Sequence, residues 1–214
     1  MVGDRLLDCF GDLRRHKPHV PRPLDETGNP GRPVGVGVGD CRRHSQRVPG
    51  RHRRLLLTTW PHDDTASKNA FYGDFRSPGW QDLNLVHVIP PFTTYYSKQP
   101  LGHGLLVHKL IAPALTLVLN EIWARCAQDQ AAVDKIGASD WGGCFNIRPI
   151  AGSDNWSNHS WACAVDISPT TNGFNTGHGT QSQIVISAFE RQGALWGGDY
   201  HGRTDPMHFE FVSR

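Results

Sequence analysis

The chain has 214 residues, 38% of them hydrophobic and 7 of them Trp, which suits one folded domain with an extension rather than several domains. The formal charge is only +2, yet residues 1–54 carry 11 Arg and 1 Lys against 6 acidic residues, about +6, so the remainder is near −4. The 5 cysteines are odd in number and show no Cys-x-x-Cys spacing, which argues against a disulfide framework or a zinc knuckle and fits free thiols in a reducing compartment. The first residues lack the apolar run of a secretory signal, and the most apolar window, Leu110–Leu119, is too short to span a bilayer. A chain made in the cytoplasm, with no membrane partner, is expected.

Residues 1–58 are punctuated by Pro-Arg-Pro, Asn-Pro-Gly-Arg-Pro and Gly-Val-Gly-Val-Gly-Asp, with no lasting apolar periodicity. They read as a basic, disordered extension. The glycine run misses the dinucleotide-binding spacing because Asp40 stands where a third Gly would fall. No aromatic residue interleaves the cluster from Arg42 to Arg54, so base stacking and a specific nucleic-acid partner are not expected.

The folded domain is expected over residues 59–214. Phe71-Tyr72-Gly73 and Pro78-Gly79-Trp80 read as loop anchors, and Leu83–Ile89 as a strand stopped by Pro90-Pro91. A helix is predicted over Leu106–Ala127, with Leu110, Ala114, Leu117, Val118, Ile122 and Trp123 on its buried stripe. Pro113 then requires a start or a kink nearby, and His108 reads as a surface or capping residue. Gly142–Arg148 looks like a turn feeding a strand, and Cys163–Ser168 like a second strand. Thr180 and Gln183 form a capping box for a helix running to Gln192 and stopped by Gly193, with Ile184, Ala188 and Phe189 inward. Met207–Val212 is the last strand, placing His208 and Glu210 on one face and Phe209 on the other. Without βαβ periodicity the class is α+β, a single domain with a small, largely antiparallel sheet flanked by helices.

The chemistry concentrates between Arg148 and Asp166 and again after Leu195. His159 and Asp166 lie seven residues apart, and Asp166 interrupts the apolar run Ala164–Ile167, where an unpaired charge is costly to bury. Seven residues of continuous strand would set the two on opposite faces, so the chain must turn between them, within Ser157–Ala162. A second imidazole, His208, follows Asp205 by three residues. Two imidazoles and a carboxylate, with a further carboxylate close by, match the donors of a catalytic zinc that keeps one position open for water. His-Glu-x-x-His, Gly-x-Ser-x-Gly and phosphate-loop motifs are absent.

Ser157-x-His159, Asp166, Trp196-Gly197-Gly198-Asp199 and Asp205-x-x-His208-Phe209-Glu210, in that order, closely resemble the zinc peptidases of bacterial cell walls. These are the VanY-like D-alanyl-D-alanine carboxypeptidases and the L-alanyl-D-glutamate endopeptidases of phage endolysins. The resemblance runs from about Trp60 to the C-terminus. It implies a hedgehog/DD-peptidase-like fold, zinc held by His159, Asp166 and His208, and Asp205 as general base. It also implies Arg148 as the group that holds a substrate carboxylate or the oxyanion. Ser157, Trp196 and Tyr200 are expected to line the substrate cleft, and Asp199 and Glu210 to orient ligands or loops. His178 and His201 are read as solvent-exposed. One departure is Ala162, where the family usually has Gly.

The function this implies is zinc-dependent hydrolysis of a bond in peptidoglycan stem peptides, most simply by an L-alanyl-D-glutamate-type endopeptidase acting on the wall as a monomer after release. D-alanyl-D-alanine carboxypeptidase activity is the alternative within the enzyme class. A non-catalytic, hedgehog-like zinc module is the alternative outside it, which the retained Asp205 opposes. The basic extension would suit an anionic wall polymer.

Overall fold

A computed structural model of the chain describes residues 59–214; the expectations for residues 1–58 lie outside them. The domain opens with α1, Thr65–Tyr72, whose first turn is capped by the Asp64 carboxylate accepting from the Ser67 N–H. Phe71 and Tyr72 are therefore helical rather than loop residues. The short helix α2, Trp80–Asn84, follows Gly79 and leads straight into strand β1, Leu85–Val88. The predicted strand over Leu83–Ile89 is correct only in its middle, because Asn84 folds its amide back to the Trp80 carbonyl and completes a helical turn.

A two-residue-per-strand ribbon, β2 Tyr95–Tyr96 and β3 Gln99–Pro100, precedes β4, Leu105–His108, which pairs antiparallel with β1. Here the helix expected from Leu106 is wrong in its first residues. Leu105 and Val107 are buried on one side of β4, a period of two, and the helix α3 spans only Ala112–Arg125. Pro113 sits in its first turn, where the missing N–H has no partner to lose. The buried stripe is Leu115, Val118, Leu119 and Ile122, while Leu110 and Leu117 remain 42% and 43% exposed. A further short helix, α4 Gln130–Lys135, is capped by Asp129.

The remaining elements build the functional end. Strands β5 Trp141–Gly143, β6 Ala164–Ile167, β7 Leu195–Trp196 and β8 His208–Glu210 form an antiparallel sheet in the order β5-β6-β8-β7. Helix α5, Gln183–Glu190, packs on α3 and on β7. Its cap is Ser182 rather than Thr180, because the Gln181 side chain is drawn inward to the Ile167 carbonyl. Gly193, at φ +74°, turns the chain out of this helix into β7. Phe189 of α5 stacks on Phe209 of β8 at 4.2 Å between ring centres, so the helix seals the apolar side of the strand whose other side carries His208 and Glu210. The result is the expected α+β domain with small antiparallel sheets. No helix among the described residues is long and apolar enough to cross a membrane.

Candidate metal centre and active-site cleft

Three elements bring the centre together. Asp166 on β6 and His208 on β8 are direct partners across the sheet, with His208 Nδ1 3.0 Å from Asp166 Oδ1. His159 comes from a 3₁₀ turn, Asn158–Trp161, which Ser157 caps and Ala162 ends at φ 52°, ψ 30°. That left-handed step reverses the chain into β6 and swings the imidazole back over the strand, so His159 Nε2 lies 3.2 Å from both Asp166 Oδ1 and His208 Nδ1. The loop expected between His159 and Asp166 is this turn. All three side chains are buried.

The hydrogen bonds behind them fix the tautomers. His159 Nδ1 is 2.8 Å from the Cys144 carbonyl, which can only accept, so that nitrogen carries the proton and Nε2 turns a lone pair inward. His208 Nε2 is 3.4 Å from Glu210 Oε2, which leaves Nδ1 facing inward as well. Although burial opposes it, the Asp166 and Glu210 carboxylates raise His208 to about 10. Against the same cost of burial, the two histidines, His159 foremost, hold Asp166 well below the usual carboxylate range. With His208 neutral, the two inward nitrogens and the Asp166 carboxylate would offer three converging acceptors to a cation.

Glu210 is held in turn by residues that the motif does not include. Its Oε2 accepts from Asn158 Nδ2 at 2.6 Å and its Oε1 from Arg214 at 2.5 Å. Asn158 Oδ1 accepts from Lys68 Nζ at 2.6 Å, and Lys68 also donates to Asp63 at 2.8 Å. Lys68 is only 4% exposed and lies over the Trp161 ring.

Asp205 stands beside the trio, lining one cleft with His208, Arg148, Ser157 and Tyr200. Burial pushes its carboxyl up to about 6. Its Oδ1 is buried and has no hydrogen-bond partner among the described residues. Its backbone is pinned, the Asp205 N–H donating to Gly197 and its carbonyl accepting from His208 N–H. A Cβ at Gly197 would fall 2.4 Å from the Asp205 carbonyl oxygen, so only glycine allows this approach. The cleft holds about 340 Å³, and a second of about 240 Å³ is lined by His159, Asp166, Asn146, Gly143 and Tyr96. Arg148 is exposed and lines both.

Two expected roles do not fit these positions. Trp196 lines neither of these clefts; its indole is 5% exposed and donates to the Pro206 carbonyl, so it braces the loop carrying Asp205. Asp199 is exposed and reaches no ligand; it lies 3.4 Å from His178, whose ring stands edge-on to Trp196. His178 and His201 are both exposed, as expected. Glu210 does contact a proposed ligand, and Tyr200 lines the cleft beneath the Arg214 guanidinium. Ser157 lines the cleft too, but its Oγ is already engaged in capping the His159 turn. Asp63, Lys68, Asn158 and Arg214 were missed, and only Asn158, next to His159, carried any local signal.

The donor set fits zinc. Three ligand atoms around a tetrahedral zinc at about 2.1 Å would stand about 3.4 Å apart. Here the two imidazole nitrogens and the carboxylate oxygen are separated by 3.0–3.2 Å, already near that spacing. Among the described residues, these three are the group able to hold a metal ion.

Fold and site together define a candidate metal centre with a buried carboxylate beside it, built on an antiparallel sheet. Residues 151–211 match the family model described as D-alanyl-D-alanine carboxypeptidase, which supports a peptidase. The match contains His159, Asp166, Asp205 and His208 and agrees with the resemblance seen in the sequence; Arg148 precedes it. No curated protein and no solved structure matches the chain.

Proposed function

We propose that this protein is a zinc-dependent peptidase that cuts peptidoglycan stem peptides, acting as an L-alanyl-D-glutamate-type endopeptidase. The observation that carries the reading is the convergence of His159, Asp166 and His208 beside a buried, unpartnered carboxylate oxygen of Asp205. Zinc, when bound, supplies Lewis acidity and lowers the pKa of water toward about 7. Asp205 accepts a proton from the attacking water and returns it to the leaving amine. Its partial burial suits this role, because a base near neutrality both takes and gives a proton readily. Arg148 holds a substrate carboxylate or the developing oxyanion from the rim shared by the two clefts. Glu210 and Asn158 keep the His208 ring in register.

Carboxypeptidase activity is the second reading. It is favoured by the description of the matching family and by Arg148, whose exposed guanidinium suits a terminal carboxylate. Mass spectrometry of purified cell wall, incubated with the protein with and without a chelator, separates the readings. Longer peptides released only without chelator support the endopeptidase, and free D-alanine supports the carboxypeptidase. No released fragment at all would leave the non-catalytic zinc module. The basic extension would add affinity for the anionic wall, a contribution that rising salt should weaken.

A further inference from the structure

Taking the peptidase reading as given, we infer that Arg203 forms a second anion subsite, selecting a peptide that carries a free carboxylate beside the bond to be cut. Five cationic and acidic side chains besides Asp205 line this cleft, and most are already engaged. Asp63 is paired with Lys68, and Glu210 with Arg214. Arg148 and Arg203 line the same cleft, and among the described residues neither has a carboxylate within ion-pair distance. Among the described residues the cleft thus presents two guanidiniums outside any close ion pair, with Asp205 acting on Arg148 only from a distance.

Arg203 is also positioned rather than free. Its guanidinium lies 5.4 Å from the centre of the Phe174 ring, and one NH2 group reaches the Ala151 carbonyl at 3.4 Å. A guanidinium has five N–H donors in a planar fork, so this single contact leaves most of them for an oxyanion. The aromatic platform and the carbonyl limit the rotamers lost when an anion binds, which favours a bidentate contact. Arg148 belongs to the segment before the His159 turn and Arg203 to the loop before Asp205. Both line the cleft that also holds His208 and Asp205, so a peptide bound there could offer two anionic groups, or one carboxylate and one oxyanion. In a stem peptide the D-glutamyl residue is joined through its side-chain carboxyl, which leaves its α-carboxylate free or, in some walls, amidated. The subsite would distinguish these two forms.

The test uses the full chain loaded with zinc and two synthetic stem peptides, identical except that the D-glutamyl α-carboxylate is free in one and an amide in the other. The wild type should cleave the acid with kcat/KM about 10–100-fold above the amide, as expected for a charge-assisted contact. Arg203→Ala should bring the two within about 3-fold by slowing only the acid, and Arg203→Lys should restore part of the difference. Equal loss on both peptides would show that Arg203 merely ties its loop to Ala151, and no wild-type preference would remove the subsite outright. Equilibrium binding of both peptides is measured in parallel by calorimetry. If neither is cleaved, the peptidase reading fails on its own; tighter binding of the acid that disappears in Arg203→Ala would still establish the subsite, and equal binding would overturn it.

Discussion

Lys68 and Asn158, ninety residues apart, meet through a buried 2.6 Å hydrogen bond that fixes which end of the asparagine amide faces Glu210. Because Lys68 can only donate, Asn158 must offer its oxygen there and its NH2 group to Glu210, which in turn faces His208 Nε2. Groups one step behind a metal ligand typically alter affinity by about 10–100-fold. Asn158→Leu should therefore weaken zinc binding by about that factor in a chelator competition, with the three ligands intact. Unchanged affinity would show that Glu210 orients His208 unaided.

The ligands themselves give the bluntest expectation. On the zinc reading, His159, Asp166 and His208 would each supply one of three protein donors, so His208→Ala should leave too few for a tight site. Elemental analysis should find about one zinc per wild-type chain and little in the variant. Adding chelator to the wild type should lower its melting temperature, since an ion bound only by the folded state stabilises it by mass action. Full occupancy in His208→Ala would refute the assignment.

Ala162 marks where the sequence departs from the family it resembles, and the backbone there is left-handed, at φ 52°. An L-residue with a Cβ is strained in that region by roughly 1–2 kcal/mol. Ala162 is fully buried, so glycine would lose about 0.8 kcal/mol of methyl burial while relieving the strain. Ala162→Gly should be neutral to slightly stabilising, by up to ~1 kcal/mol in a denaturant titration. Ala162→Val should be clearly destabilising because β-branching is poorly tolerated at positive φ. A large loss in the glycine variant would show that the methyl packing dominates.

His108 should make the fold acid-sensitive. Its ring is 1% exposed, with Nε2 2.9 Å from the Tyr72 carbonyl and Nδ1 accepting from the Leu110 N–H. Both nitrogens are satisfied only in the neutral form, and burial lowers the pKa to about 4. The unfolded chain takes up a proton near pH 6.5, before the folded one does, so stability is full above 6.5 and falls as pH drops toward 4. The melting temperature should fall by roughly 10 °C across that window. His108→Gln should have a lower melting temperature at pH 7 but a flatter profile between 6.5 and 4. An equally steep variant profile would place the sensitivity elsewhere.

Much of the centre was legible because its chemistry is local. The block from Ser157 to Asp166 and the block from Asp205 to Glu210 each fold as a turn and a strand, and β6 and β8 then pair directly. Long-range demands were not legible. Lys68 looks like any helical lysine until α1 packs over Trp161, and Asp63 gains its role only through Lys68 and Asn158. The error at Leu106–His108 has a similar cause. A short apolar run before a strong helix continues its pattern, and only pairing with β1 reveals the strand. Trp196 was misplaced because an aromatic beside a glycine pair resembles a cleft wall, whereas its indole is committed to the Pro206 carbonyl.

Asp205→Asn should separate metal binding from catalysis. The substitution is nearly isosteric, and it leaves the backbone bonds to Gly197 and His208 in place. Oδ1 has no hydrogen bond to lose, so zinc content and melting temperature should change little. An amide cannot take the proton from the attacking water, and general-base assistance is typically worth about 10²–10⁴-fold. The expected result is a loss of kcat in that range with KM roughly held, as for an interaction used mainly in the transition state. Steady-state kinetics on a stem peptide, with zinc measured in the same preparation, checks this. A variant that keeps more than about a third of the wild-type rate with zinc in place would exclude Asp205 as the base. Glu210 would be a poor substitute, since both its oxygens are already held by Asn158 and Arg214. In that case the proton would have to leave through water in the cleft, and the buried carboxylate of Asp205 would need another explanation.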